Sequence, residues 1–187
     1  MGFLLIRSNR IRYSYMEAID IAISFIKRFE GLATLTPDKQ HIKAYICPAG
    51  VPTIGYGNTF YPNGQKVTIN DIITIQRAEE ILRWTVGLFA NDVKSLVKST
   101  LTENQKASLI SFAYNVGSDI DIDTIPEGLG DSTLLKKVNA NPNDLTIVNE
   151  FMKWDKAWVT KDGVKHLVAL PGLIKRRQEE AQLYFTK

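Results

Sequence analysis

The 187 residues, 44% of them hydrophobic and 23% charged, have the balance of one compact globular unit with its own core, which excludes a disordered or low-complexity chain. A formal charge of +3 is too small to declare a polyanionic partner on its own, and a single cysteine, Cys47, excludes an intramolecular disulfide. Cys47, His41 and His166 match no zinc-ligand spacing, so no metal site is expected, and no apolar run approaches the roughly 20 residues that cross a bilayer.

In chain order, residues 1–15 read as an N-terminal extension. Their apolar patch, Phe3 to Ile6, precedes Arg7, Arg10 and Arg12, the reverse of a signal peptide's order. The first helix is expected to start at Ser14 as cap, with Glu17 completing a capping box and Ala18, Ala22, Phe25, Ile26 and Phe29 forming one apolar face. Gly31 stops it. Glu30 therefore falls in the last turn, one position off the apolar face, where the helix dipole opposes a negative charge.

Residues 34–42 are polar, carry Pro37 and Asp38, and read as a loop. Residues 44–47 and 51–57 read as two short strands around the turn at 48–50, with Pro52 marking an edge strand. Tyr61-Pro62-Asn63-Gly64 supplies a further turn, and a third short strand is expected near 66–68. Everything after that reads as helical. A long amphipathic helix runs over 74–96, and Thr102-Glu103-Asn104-Gln105 is a capping box opening a helix over 106–116 that Gly117 closes. Further helices are expected at 133–138 behind Ser132, at 145–154, and at 171–185 with Pro171 in the first turn.

Six stretches then stand in one order: Phe29-Glu30-Gly31, residues 53–57 (Thr-Ile-Gly-Tyr-Gly), 101–105 (Leu-Thr-Glu-Asn-Gln), 111–117 (Ser-Phe-Ala-Tyr-Asn-Val-Gly), 132–137 (Ser-Thr-Leu-Leu-Lys-Lys) and 172–179 (Gly-Leu-Ile-Lys-Arg-Arg-Gln-Glu). In these the chain resembles the phage-type lysozymes, the endolysins among the glycoside hydrolases. The resemblance covers nearly everything after Met16. It implies an α+β, mainly helical lysozyme-like fold, with a small β-hairpin lobe (about 32–70) joined by a long helix to a helical lobe (about 74–187), all within one catalytic domain over 16–187.

The resemblance also implies cleavage of the β-1,4 bond between N-acetylmuramic acid and N-acetylglucosamine in a cleft between the lobes. The family's catalytic Glu and Thr fall on Glu30 and Thr53. The family's Asp, placed by the Asp-x5-Thr spacing, falls on Cys47. Gly57, Tyr114, Asn115 and Thr133 fall where the family contacts sugar, and Arg176 and Arg177 match a pair expected to hold acids. It implies no cofactor, and as partner a peptidoglycan strand rather than nucleic acid or a stably entered membrane. A monomer made in the cytoplasm until released onto the wall completes the expectation.

Breaking an acetal requires a proton for the leaving oxygen and a second group that activates water or stabilises the developing positive charge. Glu30 is the candidate acid. A free thiol, with its usual pKa near 8.5, is mostly protonated at neutral pH, so Cys47 is expected to be a weak base, and Asp38 is the only nearby carboxylate that could stand in for it. Three readings stay open: an inverting muramidase, a lytic transglycosylase needing only Glu30, and a wall-binding module without turnover. Gly55 and Gly57 lack the third glycine and the following helix of a nucleotide loop, and are expected to let backbone and sugar approach. Trp84, Trp154 and Trp158 are expected to pack in the interior, and the role of Asn58 is open.

Overall fold

The computed structural model describes residues 2–32, 34–47, 49–120 and 127–187, with side chains from residue 15 onward. The elements in chain order are α1 (Gly2–Glu30), β1 (His41–Lys43), β2 (Tyr45–Ile46), β3 (Pro52–Thr53), β4 (Ile72–Thr74), α2 (Ile75–Leu96), α3 (Glu103–Val116), α4 (Thr133–Ala140), α5 (Ile147–Met152), β5 (Lys156–Lys161), β6 (Val164–Ala169) and α6 (Pro171–Phe185). The α+β, mainly helical class is as expected. The chain divides into two compact units, Ala22–Leu88 in one and Met1–Ile21 with Phe89–Lys187 in the other.

The Ala22–Leu88 unit combines the end of α1, the short strands and most of α2. The apolar stripe of α1 (Ala22, Phe25, Ile26) and that of α2 (Ala78, Ile81, Leu82, Val86) are buried in it with Ile42, Ile54 and Tyr56. β1 and β4 pair antiparallel with Ile42 opposite Ile73, and β2 pairs with β3 with Tyr45 opposite Thr53. Both ribbons are only two or three residues long. The expected hairpin around 48–50 is therefore present, while the loop expected at 34–42 ends in a strand, and Thr74 is the last residue of β4 rather than the first of a helix. The strand expected near 66–68 reduces to one bridge between Phe60 and Lys66. Three-residue strands contain too few alternations to show a period of two.

The regular elements described in the other unit are helices and one ribbon. Its core holds Phe112, whose ring meets Phe151 and Trp154 edge-on at centroid distances of 5.6 and 5.4 Å, and Phe151 in turn packs on Tyr184 at 5.9 Å. The capping box of α3 forms as the sequence predicts: the Gln105 amide N–H donates to Thr102 Oγ1 at 3.2 Å and the Thr102 N–H to Gln105 Oε1 at 3.0 Å. Ser132 caps α4 through the Leu135 N–H at 3.0 Å.

Three expectations fail. Helix α1 begins at Gly2, so Ser14 lies inside the helix rather than at its start; the stretch from Phe3 to Glu30 contains no proline or glycine to stop it. Residues 156–169 are not helical but form the β5–β6 hairpin, closed by Asp162 and Gly163 with φ of 52° and 77°, the left-handed pair that tight hairpin turns require. Trp158 on that hairpin is 68% exposed, against the expectation that it packs in the interior, whereas Trp154 does pack, on Phe112. Among the described residues no helix is long and apolar enough to cross a membrane.

Candidate active site

Glu30 is the last residue of α1, half-buried, and Gly31 follows in the left-handed region (φ 63°) with its N–H on Lys27 O at 3.2 Å. The turn that presents Glu30 is fixed from behind. Lys27, three residues earlier, makes an ion pair with Glu79 of α2 and sits 5.7 Å from the Tyr56 ring centroid, so its ammonium is held charged above its usual range. Phe25 and Phe29 stack at 5.0 Å beneath Arg28, whose guanidinium lies 4.9 Å from the Phe25 ring.

Cys47 follows β2 at the mouth of the hairpin turn. Its N–H donates to Val51 O at 3.0 Å, and its own carbonyl accepts from Gly50 N–H at 2.8 Å, which closes the turn (φ of Gly50 78°). That turn aims donors back at the sulfur: the Val51 N–H first, then the Thr53 hydroxyl and the Ala49 N–H, and together they hold the Cys47 thiol below the usual range of a free cysteine. The expectation of a weakly basic thiol is thus met by a shift toward the charged form. Thr53 is 3% exposed, and its single hydroxyl hydrogen has two acceptors, Val51 O at 3.0 Å and the Cys47 sulfur. An ionised sulfur is the stronger acceptor of the two.

Tyr45 lies within electrostatic reach of both Cys47 and Glu30, and nothing in the sequence singled it out. It lies opposite Thr53 in the β2–β3 register and two residues before Cys47, which strand alternation carries to the same face. Its phenol is pushed above the usual range by burial first, and then by the negative charges of Cys47 and Glu30. Glu30 and Cys47 thus act on one phenol from the same unit. Asp38, the possible stand-in, is consumed in its own loop: Thr36 Oγ1 and the Gln40 N–H donate to it at 2.6 and 2.8 Å, His41 Nδ1 lies at 2.8 Å, and its carboxyl is held far below the usual range.

The two glycines of this strand do different things. Gly55 (φ 63°) is buried, and a Cβ there would stand 3.2 Å from Ala78 Cβ, so the close approach it permits is that of α2 and not of a sugar. Gly57 (φ 95°) is exposed in the turn closed by Ile54 and Asn58, whose backbones exchange hydrogen bonds at 2.9 and 3.0 Å. Asn58, 6% exposed, donates from Nδ2 to Thr85 Oγ1 at 2.6 Å and so pins this turn to α2.

Glu30, Cys47, Thr53 and Gly57 belong to the Ala22–Leu88 unit; Tyr114, Asn115 and Thr133 belong to the other. Tyr114 and Asn115 occupy the last turn of α3. The Tyr114 ring stands edge-on to Phe89 at 5.6 Å, and exposed Asn115 accepts from Arg177 Nη2 at 2.9 Å. Thr133 is exposed at the first position of α4. Arg176 and Arg177 pair with an acid as expected: both are buried against Glu180, at 3.2 and 2.8 Å, with Ser111 donating to the same carboxylate at 2.8 Å. Among the described residues no group of three or more His, Cys, Asp or Glu is arranged to hold a metal ion.

Comparison with known proteins agrees with this architecture. Residues 27–180 match the family model described as phage lysozyme. The chain is 36% identical to an endolysin of Acyrthosiphon pisum secondary endosymbiont phage 1 over 90% of its own length and 98% of that protein's. It is 37% identical to an endolysin of Bacillus phage B103, of which it spans 55% while 91% of this chain is matched. Two solved structures share the fold. An endolysin from Escherichia coli O157:H7 phage FAHEc1 has a TM-score of 0.69 at 32% identity, over 88% of this chain and 90% of that one. The muramidase domain of SpmX from Asticaccaulis excentricus has a TM-score of 0.63 at 30% identity, over 89% and 95%. With most of its length matched by the family model and by these relatives, the chain belongs to the phage lysozyme family.

Proposed function

We propose that this lysozyme-family glycoside hydrolase cleaves peptidoglycan as an inverting muramidase, with Glu30 as the acid and Cys47 and Thr53 placing the water. The Glu30 carboxyl proton goes to the glycosidic oxygen as the bond to the anomeric carbon of N-acetylmuramic acid breaks. A water on the opposite face of the ring forms the new bond to that carbon and gives its proton to the Cys47 thiolate. Solvent then returns that proton to Glu30. Thr53 holds the water or the sulfur through its one hydroxyl hydrogen. Gly57 gives the strand a bare backbone for the sugar, and Tyr114, Asn115 and Thr133 are the proposed sugar contacts of the other unit. No cofactor enters this scheme.

The observation that carries the reading is the sulfur cradle. Two backbone N–H groups and the Thr53 hydroxyl favour the thiolate at the position where the family has a carboxylate, while Tyr45 feels both that sulfur and Glu30. A transglycosylase would need no second group, so such an arrangement would have no use there. Digestion of purified peptidoglycan with product masses read by mass spectrometry tests the reading. The expected products carry reducing ends, and Glu30→Gln lowers their release by about a hundredfold or more. Products one water lighter, with an anhydro sugar, would overturn hydrolysis, and release undiminished in Glu30→Gln would overturn the role of Glu30.

A further inference from the structure

Among the described residues the β5–β6 hairpin is the one ribbon of its unit, and every residue from Lys156 to Ala169 except Ala157 is exposed. An isolated two-stranded ribbon is at best marginally stable in water. This one nonetheless displays its largest apolar side chains. Trp158 (68% exposed) and Leu167 (53%) lie directly opposite each other, with Lys156 and Ala169 as the next pair on that face and Thr160 and Lys165 as the pair beyond. An aromatic-aliphatic pair is thus flanked, two residues or about 7 Å along the strands on either side, by one lysine. Three lysines face a single carboxylate, Asp162, within residues 156–169.

We propose that this hairpin is a second binding arm for the cell-wall polymer, engaging peptidoglycan outside the bond being cut. Trp158 and Leu167 cover the apolar face of a sugar ring, and Lys156 and Lys165 meet the carboxylates of the stem peptides. The inference rests on the muramidase reading for its choice of polymer. Its independent support is the match between an indole edged by cations and a glycan whose stem peptides carry carboxylates. A lipid surface fits less well. The tip, Lys161-Asp162-Gly163, would have to enter hydrocarbon first, and the opposite face carries Lys161 and His166 among its valines, so neither face is purely apolar.

The test is co-sedimentation with insoluble peptidoglycan in a Glu30→Gln background, so that the wall is bound and not digested. Trp158→Ala is expected to weaken sedimentation by about fivefold, with Trp158→Phe keeping most of it. Lys156→Ala combined with Lys165→Ala is expected to weaken it similarly at low salt and by much less at about 1 M salt, where screening removes the ionic part. Unchanged far-UV circular dichroism and melting show that the fold is kept; should Trp158→Ala disturb the hairpin, the double lysine variant decides. Sedimentation equal to the parent's in these variants overturns the proposal. So does binding to phosphatidylglycerol vesicles that falls in the variants while wall binding does not. The protein with Glu30 intact, incubated with the same walls, separates the two readings: an absence of reducing ends sinks the muramidase, while normal release beside unchanged sedimentation sinks only the arm.

Discussion

Cys47 serves as a base only if its sulfur holds a negative charge near neutral pH, and that property comes from neighbours rather than from cysteine itself. The Val51 and Ala49 N–H groups and the Thr53 hydroxyl all stabilise the charged form, which places the ionisation below that of a free cysteine, about 8.5. A lowered pKa means that the thiolate persists on the acid side of that free value and is lost only as pH falls through the lowered one. Thr53→Val removes one donor and keeps the shape. The variant is therefore expected to move the basic group's midpoint in kcat/KM upward and to cut the rate at neutral pH by roughly tenfold. Alkylation of Cys47 by iodoacetamide across the same pH range should show the same upward shift, because only the thiolate reacts. A midpoint that does not move in Thr53→Val would mean that the hydroxyl does not hold the sulfur. At this scale the sequence was informative about which side chains stand in the proposed site: Glu30 before a helix-ending glycine, and Cys47 six residues before Thr53. It was silent on the Ala49 and Val51 N–H groups, since a backbone donor has no letter of its own, and on Tyr45, since a tyrosine in a short strand has no distinguishing signal.

Helix α6 is held to α3 by a buried charge cluster that no periodicity argument could weigh. Glu180 receives Arg176 and Arg177 at 3.2 and 2.8 Å and the Ser111 hydroxyl at 2.8 Å, and Ser108 donates to the Glu180 carbonyl at 2.7 Å. Burial pushes the Glu180 carboxyl up and the Arg177 guanidinium down to about 10, against the attraction between them. Arg177 also lies 4.9 Å from the Phe112 ring. Glu180→Gln keeps the volume but strands two buried guanidiniums, so it is expected to cost about 3 to 5 kcal/mol in guanidinium unfolding. A loss under 1 kcal/mol would show that solvent reaches the arginines after all. The helices themselves were legible because their apolar stripes and caps repeat over several turns: the predicted 171–185 is α6 to the residue, and the box at Thr102 forms as read. The β5–β6 hairpin escaped because its residues face solvent on both sides. A ribbon that buries nothing shows no alternation of apolar and polar, and only Asp162-Gly163 marked the turn.

At the level of the whole molecule, the division into two units does not follow the chain. The larger unit is assembled from Met1–Ile21 and Phe89–Lys187, so α1 changes unit after Ile21 and α2 after Leu88, each as one continuous helix. Separating the units in an unfolding intermediate would interrupt both helices and leave about four amide and four carbonyl groups without intrahelical partners at each break. Ala18, at 0% exposure, would also lose its cover if the first stretch came away. Cooperative loss of both units is therefore expected. Guanidinium unfolding followed by tryptophan fluorescence, with Trp84 in one unit and Trp154 and Trp158 in the other, and by far-UV circular dichroism should give one transition with a common midpoint. Leu88→Pro, which breaks α2 at the junction and costs about 3 kcal/mol, should lower that midpoint and split the two probes. Two resolved transitions in the unaltered protein would show that the junction helices do not transmit stability, and that each unit stands on its own core.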